Sequence, residues 1–403
     1  WTRPAKEIKD EQYQEFFSHI GAGFGKPLLT MHNNTEGTIS YTNLICIPST
    51  RPFDLFNPDR KSSLKLYINR VFITDKCDAL IPSYLRFIKG LVDTQDIDLN
   101  VSREMLQNNP AVAKISKSLV GKILRELKKV SEKDLDGYNN FWKEYGAVLK
   151  EGLYEDAERK ETLLDLCRFS TNESEDPISL SQYLEKMPDT QKEIYYISAE
   201  TSAQALASPH LEGFKSKNIP VLIMTDAIDQ FWLPMVGSFK EKKFTSITQG
   251  KINLDELDSK NKDKKNKSND DKDKQDKEYV DLISQLKVVL GDQVKDIRLS
   301  SKLTDSPVCL VADEGDMDIA MEQLMAQRDS NYKGAPRILE INGDHSLIKN
   351  MKSLLSKKES NDLVSDAGTL LFEQARLMEG KMPADPAQFS KIMNQFLLKA
   401  IPN

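Results

Sequence analysis

One stretch of the sequence, Ser259–Glu278, contains no apolar residue and consists mainly of lysine, aspartate and asparagine. A segment of this composition cannot contribute to a hydrophobic core, so it is typical of a solvated, mobile linker. The rest of the chain can build cores of its own, since 39% of the 403 residues are apolar. The sequence therefore predicts a multidomain protein with a charged flexible linker at 259–278 and a C-terminal domain at 279–403.

The overall charge and hydropathy exclude two classes of partner. The net charge is −6, and aspartates alternate with the lysines of the charged segment, so neither nucleic acid nor an anionic membrane is indicated. No apolar run approaches the roughly 20 residues that are needed to span a bilayer. The chain opens with Trp1 rather than methionine and shows no secretory signal, which we interpret as a fragment or a processed chain.

The cysteines and histidines do not form a recognisable chemical site. The four cysteines lie far apart in sequence and make no CxxC pair: Cys46, Cys77, Cys167 and Cys309. We expect buried free thiols in a protein of the reducing cytoplasm. The four histidines show no metal-ligand spacing, so no metal site is predicted: His19, His32, His210 and His345.

The spacing of apolar residues assigns helices and strands in the predicted first domain, 1–258. Asp10–Ile20 has the i, i+3, i+4, i+7 spacing of an amphipathic helix. Tyr41–Ile47 is an apolar run, and Leu64–Ile73 alternates between apolar and polar residues, as strands do. These elements predict a large α/β part at 1–108.

The next 150 residues combine helices with a second set of strands. Three helical stripes joined by short links predict a helical coil at 109–190. Ile194–Ser198 and Pro220–Met224 are short apolar strands on either side of a helical region. A strand–helix–strand order predicts a parallel pair, and therefore a small α/β part at 191–258.

The last domain has the pattern of an α+β fold. A helix resumes at Tyr279, and three apolar runs predict strands at Val294–Leu299, Val308–Ala312 and Ile338–Ile341. Two amphipathic helices close the chain. The whole sequence thus predicts a multidomain α/β and α+β protein: two sandwich-like α/β units joined by a helical coil, followed by an α+β domain that ends in a helix pair.

The segment Gly21–Lys26, GAGFGK, is similar to a glycine-rich phosphate loop but lies in the wrong context. A phosphate loop joins a strand to a helix, so that backbone amides and the helix N-terminus converge on the phosphate. Here a helix precedes the glycines, and Pro27 follows the lysine where serine or threonine is required. We interpret the segment as a helix stop and a flexible turn.

Three segments carry apolar side chains whose role the pattern leaves open. The loop Arg51–Pro58 holds Phe53 and Phe56, which form either a small satellite core or a contact surface. Trp232 lies in Ile228–Phe239, either in the core or in an exposed binding patch. The segment Asp316–Arg328 is either a core helix or a methionine-rich surface for partners of varied shape, through Met317, Met321, Leu324 and Met325.

The terminal helices carry more apolar surface than one chain would cover. A second copy of the same pair would complete a four-helix bundle, so we predict a homodimer. The interface residues that we expect are Leu363, Leu370, Leu371, Met378, Phe389, Ile392, Met393, Phe396 and Leu397.

Arg103 and Gln107 are four residues apart in the segment between the first strands and the helical coil. On a helix, positions i and i+4 lie on the same face. A guanidinium on rigid backbone suits a phosphate, because its planar fork donates paired hydrogen bonds and cannot lose its charge. The alternative is an ordinary helix start with a surface arginine.

The sequence LNVSREMLQ at Leu99–Gln107 resembles the catalytic-loop signature in the middle domain of the ninety-kilodalton heat-shock chaperones, the Hsp90 family. Further segments resemble the same family in the same order, including Tyr41–Pro48, Pro82–Val92, Phe141–Lys150 and Ser208–Glu212. The resemblance covers nearly the whole chain and is strongest to the bacterial form. It implies a middle and a C-terminal domain without the family's N-terminal ATP-binding domain.

The resemblance implies roles for the residues above. Arg103 would reach the γ-phosphate of ATP bound with Mg²⁺ in the N-terminal domain, and Gln107 would support that contact. The fragment alone would bind no cofactor and would be inactive. Unfolded client proteins would contact Phe53, Phe56, Trp232 and the methionine-rich helix, the C-terminal helices would dimerise, and other chaperones are candidate partners.

Two further function classes stay open from the residues themselves. One is an ATP-independent holdase or dimeric scaffold with no catalytic role, which would use the methionine-rich helix and the aromatic patches. The other is a free-standing phosphate-handling enzyme that uses Gly21–Lys26. The second would bind nucleotide by itself and would lose that binding in Lys26→Ala.

Overall fold

The structure is a computed structural model that describes residues 1–21, 26–57, 63–75, 77–99, 103–250, 252–254, 265–329, 332, 334–355 and 361–401. It divides into two compact units. The first comprises Trp1–Arg168 and Phe231–Val236, and the second comprises Phe169–Gln230 and Gly237–Asn403. Helices and mixed sheets occur in both, which confirms the multidomain α/β and α+β fold. The predicted domain boundaries, including the one at 258, stay predictions.

The first unit contains a five-stranded sheet preceded by one helix. Its strands have the spatial order β1-β2-β5-β3-β4, in which β3 and β5 are parallel and the other neighbours are antiparallel. These elements are α1 (Asp10–His19), β1 (Leu29–Thr35), β2 (Tyr41–Ile47), β3 (Ser63–Ile68), β4 (Val71–Thr74) and β5 (Lys89–Thr94). The predicted first helix and the strand at Tyr41–Ile47 are confirmed.

The predicted single strand Leu64–Ile73 is wrong, because the structure folds it into the β3–β4 hairpin. The chain reverses at Asn69 and Arg70, whose φ angles are 51° and 66°. Two successive residues with positive φ form the type of turn whose twist matches antiparallel strands. Alternation continues through such a turn, so the apolar pattern alone does not reveal the reversal.

The helical coil predicted after the first sheet is present. Its helices are α2 (Arg103–Gln107), α3 (Pro110–Lys133), α4 (Leu135–Glu155) and α5 (Lys160–Leu166). Asn109 begins α3 by accepting hydrogen bonds from the backbone of Ala111 and Val112. Phe141 and Tyr145 on α4 pack against Phe87, with ring centroids 5.7 and 4.6 Å apart. This aromatic cluster joins the helices to the sheet.

The second unit contains a six-stranded sheet of order β10-β11-β8-β9-β6-β7. Its middle strands β11, β8 and β9 are parallel, so the predicted parallel pair is confirmed. Of the helix α9, the residues Phe231–Val236 belong to the first unit. The elements are β6 (Arg168–Thr171), β7 (Ile178–Ser179), α6 (Leu180–Lys186), β8 (Ile194–Ser198), α7 (Ser202–Leu206), α8 (Glu212–Ser216), β9 (Leu222–Met224), α9 (Asp229–Val236), β10 (Ser238–Phe239) and β11 (Lys242–Ser246).

A three-stranded sheet of order β12-β14-β13 and five helices complete the second unit. The three predicted strands are confirmed, and they share one core with the flanking helices, including Leu286, Leu339 and Phe372. The elements are α10 (Lys265–Leu290), β12 (Val294–Leu299), β13 (Val308–Val311), α11 (Ile319–Arg328), β14 (Arg337–Ile341), α12 (Ser346–Leu355), α13 (Asn361–Met378) and α14 (Pro386–Ala400).

The charged segment predicted as a flexible linker differs from the structure over most of its length. Its first residues, 259–264, lie outside the described residues, but the backbone of 265–278 is helical and continues into the apolar part of α10. Apolar packing begins at the buried Tyr279, as the composition predicts.

The four cysteines are free and buried, as predicted. Burial raises the pKa of the Cys46 thiol to about 11, so this thiol is a packed side chain rather than a nucleophile. Among the described residues, no helix combines the length and the apolar character that crossing a bilayer requires. In the same part of the chain, no cluster of three or more histidine, cysteine or carboxylate side chains could hold a metal ion.

Candidate catalytic loop and interaction surfaces

The segment with the arginine forms the short helix α2, which begins at Arg103. The structure describes only the backbone of Arg103, and Ser102 before it lies outside the described residues. Leu106 is buried and Met105 is exposed, so the Leu106 side chain packs α2 into the first unit. Gln107 is exposed and follows Arg103 by four residues, which is consistent with a shared helix face.

Gln107 borders an open cleft of about 390 Å³ in the first unit, which is also lined by Lys117, Glu158 and Arg159. Lys117 Nζ lies 2.9 Å from a carboxylate oxygen of Glu158, and Arg159 Nη1 lies 2.7 Å from one of Asp156. The charges of these two cations are therefore already balanced.

The glycine-rich segment has the flanks that we predicted for a helix stop. Gly21 follows α1 with a φ of 68°, a conformation that favours glycine after a helix. The next element is the strand β1, so the order is helix, loop, strand rather than strand, loop, helix. Residues 22–25, which include the other two glycines, lie outside the described residues.

The aromatic loop before β3 exposes both of its phenylalanines. Phe53 is fully exposed and Phe56 is half exposed, so the satellite-core interpretation is wrong. The loop is nevertheless anchored: Leu55 is fully buried, and its carbonyl accepts a hydrogen bond of 2.9 Å from Arg86 Nε. The Arg51 guanidinium lies 5.6 Å from the centre of the Phe56 ring. Two aromatic rings thus project from a fixed backbone.

Trp232 is completely buried, which removes it from the predicted contact surface. Within α9, Leu233 and Val236 are buried with it, and the core interpretation is therefore correct for this segment. Met235 on the same helix is exposed, so the segment is not buried throughout. One turn of helix cannot bury all four neighbouring apolar side chains, and the sequence pattern does not show which of them faces inward.

The methionine-rich segment forms α11. Polar side chains at the start of this helix attach it to the rest of the second unit. Asp318 caps the helix through Ala320, and its carboxylate also accepts hydrogen bonds from Ser246 and Thr248. Glu322 is buried. Gln323 Nε2 donates to the backbone carbonyl of Glu379 at 2.5 Å.

Anchoring leaves the predicted contact residues of this helix at the surface. Met317, just before the helix, is exposed, and three further apolar side chains are half-buried: Met321, Leu324 and Met325. The helix is therefore neither fully buried nor fully exposed, and its free face carries flexible side chains.

The two terminal helices divide the predicted interface residues between the chain's own core and its surface. Leu371 and Ile392 are buried within the chain, so they are not available to a partner. Leu363, Leu370, Phe389 and Phe396 are half-buried. Met378, Met393 and Leu397 are exposed. The folding of α14 onto α13 within one chain explains why part of each stripe is already covered.

Sequence reasoning missed other exposed apolar side chains in the same region. Leu398 and Ile401 are 76% and 72% exposed, and Leu377 and Met382 are also exposed. Leu398 lies next to Leu397, at the edge of the predicted apolar stripe of α14. A prediction that allowed a wider apolar face on this helix would have included Leu398. The surface formed by Met393, Leu397, Leu398 and Ile401 is called the terminal apolar face below.

Comparisons with known proteins cover the whole chain. The family model described as "Hsp90 protein" matches residues 1–402. The "Chaperone protein HtpG" of Roseobacter denitrificans is 44% identical over 403 residues, which is 100% of this chain and 64% of that relative. The proteins of the same name from Paramagnetospirillum magneticum and Wolbachia pipientis wMel are 45% and 42% identical. This chain spans less than two thirds of the length of the curated relatives that it matches.

Proposed function

Because the chain belongs to the Hsp90 protein family, we propose that it is the client-binding and dimerising part of an ATP-dependent molecular chaperone. In this role it binds partly folded proteins at its exposed apolar side chains. It also contributes Arg103 to the hydrolysis of ATP bound by an N-terminal domain. A reducing cytoplasm is the proposed location, in agreement with four free buried thiols.

The exposure of Phe53 on an anchored loop is the observation that carries the client-binding proposal. An exposed phenyl ring is unfavourable in water by about 2 kcal/mol relative to a buried one. Because Leu55 and Arg86 fix the loop backbone, little ordering is needed when a client covers the ring. Phe56 adds a second ring beside it, so an unfolded segment with apolar side chains would gain burial on both.

The free face of α11 is the second proposed client surface. Methionine side chains are flexible and polarisable, so they can adapt to segments of different shape. Met317 and Met321 lie on this face together with Leu324 and Met325.

Arg103 and Gln107 are the proposed contribution to catalysis. Bound ATP with Mg²⁺ supplies the γ-phosphoryl group that is transferred to water. Arg103 would donate paired hydrogen bonds to the γ-phosphate oxygens and balance the charge that develops on them. Gln107, on the same helix face, would support that contact, and the buried Leu106 holds α2 in place.

The terminal apolar face is the proposed dimer contact. Two copies of the α13–α14 pair related by a two-fold axis would form a four-helix bundle and cover Met393, Leu397, Leu398 and Ile401. A dimer would have two copies of each client surface, one on each chain. Other chaperones are proposed as further partners.

An ATP-independent holdase or dimeric scaffold is the second candidate. The exposed aromatic loop favours it, since an apolar surface needs no nucleotide to bind a client. The two candidates share the client surfaces and differ only in whether Arg103 has a catalytic role.

The client-binding proposal can be tested by suppression of aggregation of a heat-unfolding reporter enzyme. We expect Phe53→Ser with Phe56→Ser to weaken suppression several-fold. Leu135→Ser is the matched control, because Leu135 is 57% exposed on α4 and lies outside the proposed surfaces. Equal suppression by the double variant and the control would refute the aromatic loop as a client site.

A further inference from the structure

A cavity of about 60 Å³ lies inside the second unit. Its walls come from β8, β13, α11 and the C-terminal end of α13. Met378, which lines the cavity, is partly exposed, so the cavity reaches the surface there. By the space that one water requires, this volume has room for roughly four to six water-sized groups.

Three polar side chains line this cavity with atoms that have no hydrogen-bond partner among the described residues. They are His210 through Nδ1, Ser198 through Oγ, and Glu379 through both carboxylate oxygens. His210 and Glu379 are more than nine-tenths buried. Leaving a buried polar atom unpaired costs about 1–3 kcal/mol, and more for a charge. Unpaired atoms that converge on one cavity are therefore a feature of a binding site.

The His210 ring presents an acceptor to the cavity. Burial lowers the pKa of His210 to about 3, so the ring is neutral at physiological pH. The backbone of Leu310 raises the pKa of His210, as a carbonyl that accepts a hydrogen bond from the ring does. In a neutral imidazole one nitrogen donates and the other accepts. With the ring proton directed at Leu310, Nδ1 is the nitrogen that can accept a hydrogen bond.

Glu379 presents two further acceptors. The carboxylate forms an ion pair with Lys381, whose Nζ lies 3.1 Å from Oε2, and this contact opposes the effect of burial on the pKa of Glu379. Arg337 and Glu322 also act on the carboxylate electrostatically, and burial is the main reason that the pKa of Glu379 is raised. A second positive charge beside this carboxylate would favour its ionised form.

The remaining wall of the cavity is apolar. Ile197, Ala205, Val308 and Ile319 contribute aliphatic surface. We propose that this cavity binds a small organic cation, a primary ammonium on a short aliphatic body. Its N–H groups donate to the Glu379 carboxylate and to His210 Nδ1, and its hydrocarbon part packs on the aliphatic wall.

The proposal can be tested with n-butylammonium as the probe and the 403-residue chain labelled with ¹³C at its methionine methyl groups. We expect saturable shifts of the Met378 methyl signal, with a dissociation constant on the order of 1 mM. The methyl signal of Met105, exposed on α2, is the internal reference and should not shift. The matched neutral and anionic probes, n-butanol and butyrate, should bind at least about tenfold more weakly, because neither supplies a charged donor.

Glu379→Gln should weaken n-butylammonium binding about 10- to 100-fold, because it removes the charge while keeping the shape. Glu373→Gln is the matched control: Glu373 is a buried carboxylate on the same helix, but it accepts hydrogen bonds from the backbone of Ala384. No saturable shift at about 100 mM probe would show that the cavity does not bind the cation. Equal binding by the two variants would show that Glu379 is not the partner of the cation, which would also overturn the proposal.

The pH dependence of the unmodified chain gives a second measurement that needs no variant. Binding requires ionised Glu379, so affinity should fall as the pH falls through the raised pKa of this group. His210 remains neutral between pH 7.5 and 5.0, because burial lowers its pKa to about 3. An affinity that is unchanged or higher at pH 5.0 would contradict the assignment of Glu379 as the cation's partner.

Discussion

Arg337 on β14 and Glu322 on α11 form an ion pair in the interior of the second unit. Arg337 Nη2 lies 2.5 Å from Glu322 Oε2, and both side chains are 4% exposed. Glu322 also accepts a hydrogen bond from the backbone of Ala335, and Arg337 donates to the carbonyl of Met317. This network attaches the methionine-rich helix to the sheet and leaves its apolar side chains to face outward.

Removing one partner of this pair should release α11. Glu322→Ala leaves the Arg337 charge buried without its counter-charge, and such a change costs about 3–5 kcal/mol. We expect hydrogen–deuterium exchange of α11 and β14 to accelerate strongly. Asp344→Ala, which removes the exposed partner of Lys349, is the control and should cost less than about 1 kcal/mol. Similar exchange in the two variants would contradict the anchoring role of Glu322.

His210 should make the second unit sensitive to acid. Its folded pKa of about 3 lies below the ordinary value of 6.5, so the unfolded chain binds a proton between these values and the folded chain does not. The contribution of His210 to the free energy of unfolding is therefore fully present above pH 6.5, and it is lost as the pH falls from 6.5 towards 3. At pH 5.5 we expect a loss of about 1 kcal/mol relative to pH 7.5 from this group.

Urea unfolding at the two pH values measures this contribution. His210→Gln should reduce the difference in unfolding free energy between pH 7.5 and 5.5 by about 1 kcal/mol. His19→Gln, at an exposed position on α1, should leave the difference unchanged. An identical pH dependence in His210→Gln and in the parent chain would show that His210 does not stay neutral when folded.

The terminal apolar face should control dimerisation. Leu397→Glu with Leu398→Glu replaces two exposed apolar side chains by charges, and each leucine contributes about 1.5–3 kcal/mol when buried. We expect the dissociation constant to rise by at least about 100-fold in sedimentation experiments. Val288→Glu changes an exposed valine on α10 and should leave the dimer intact. A dimer that persists in the double variant would refute the bundle.

The sequence predicted the elements whose apolar residues follow one clear period. The strands β8, β12 and β13 and the long helix α3 lie where the pattern places them, because each buries one continuous apolar set. The strand β1 was not predicted, since its sequence LTMHNNT is mostly polar and it lies at the edge of its sheet. An edge strand shares hydrogen bonds with one neighbour only and needs few buried side chains.

Sequence reasoning was weakest where long-range packing decides exposure. Leu371 and Leu397 lie in apolar stripes of neighbouring helices, yet the first is buried and the second exposed. Which stripe the chain covers for itself depends on how α14 folds back on α13. His210 and Glu379 line one cavity although 169 residues separate them in the chain. Long-range packing brings them together, so the sequence pattern does not show that they are neighbours.

The measurement that tests the ATP-dependent role most directly is phosphate release from ATP by this chain joined to the N-terminal ATP-binding domain of a relative. We predict that the joined protein hydrolyses ATP and that Arg103→Ala lowers the rate about 100-fold or more. Arg125→Ala, at an exposed arginine on α3, should keep the parent rate. Equal rates for Arg103→Ala and Arg125→Ala, or hydrolysis by the 403-residue chain alone, would contradict the account.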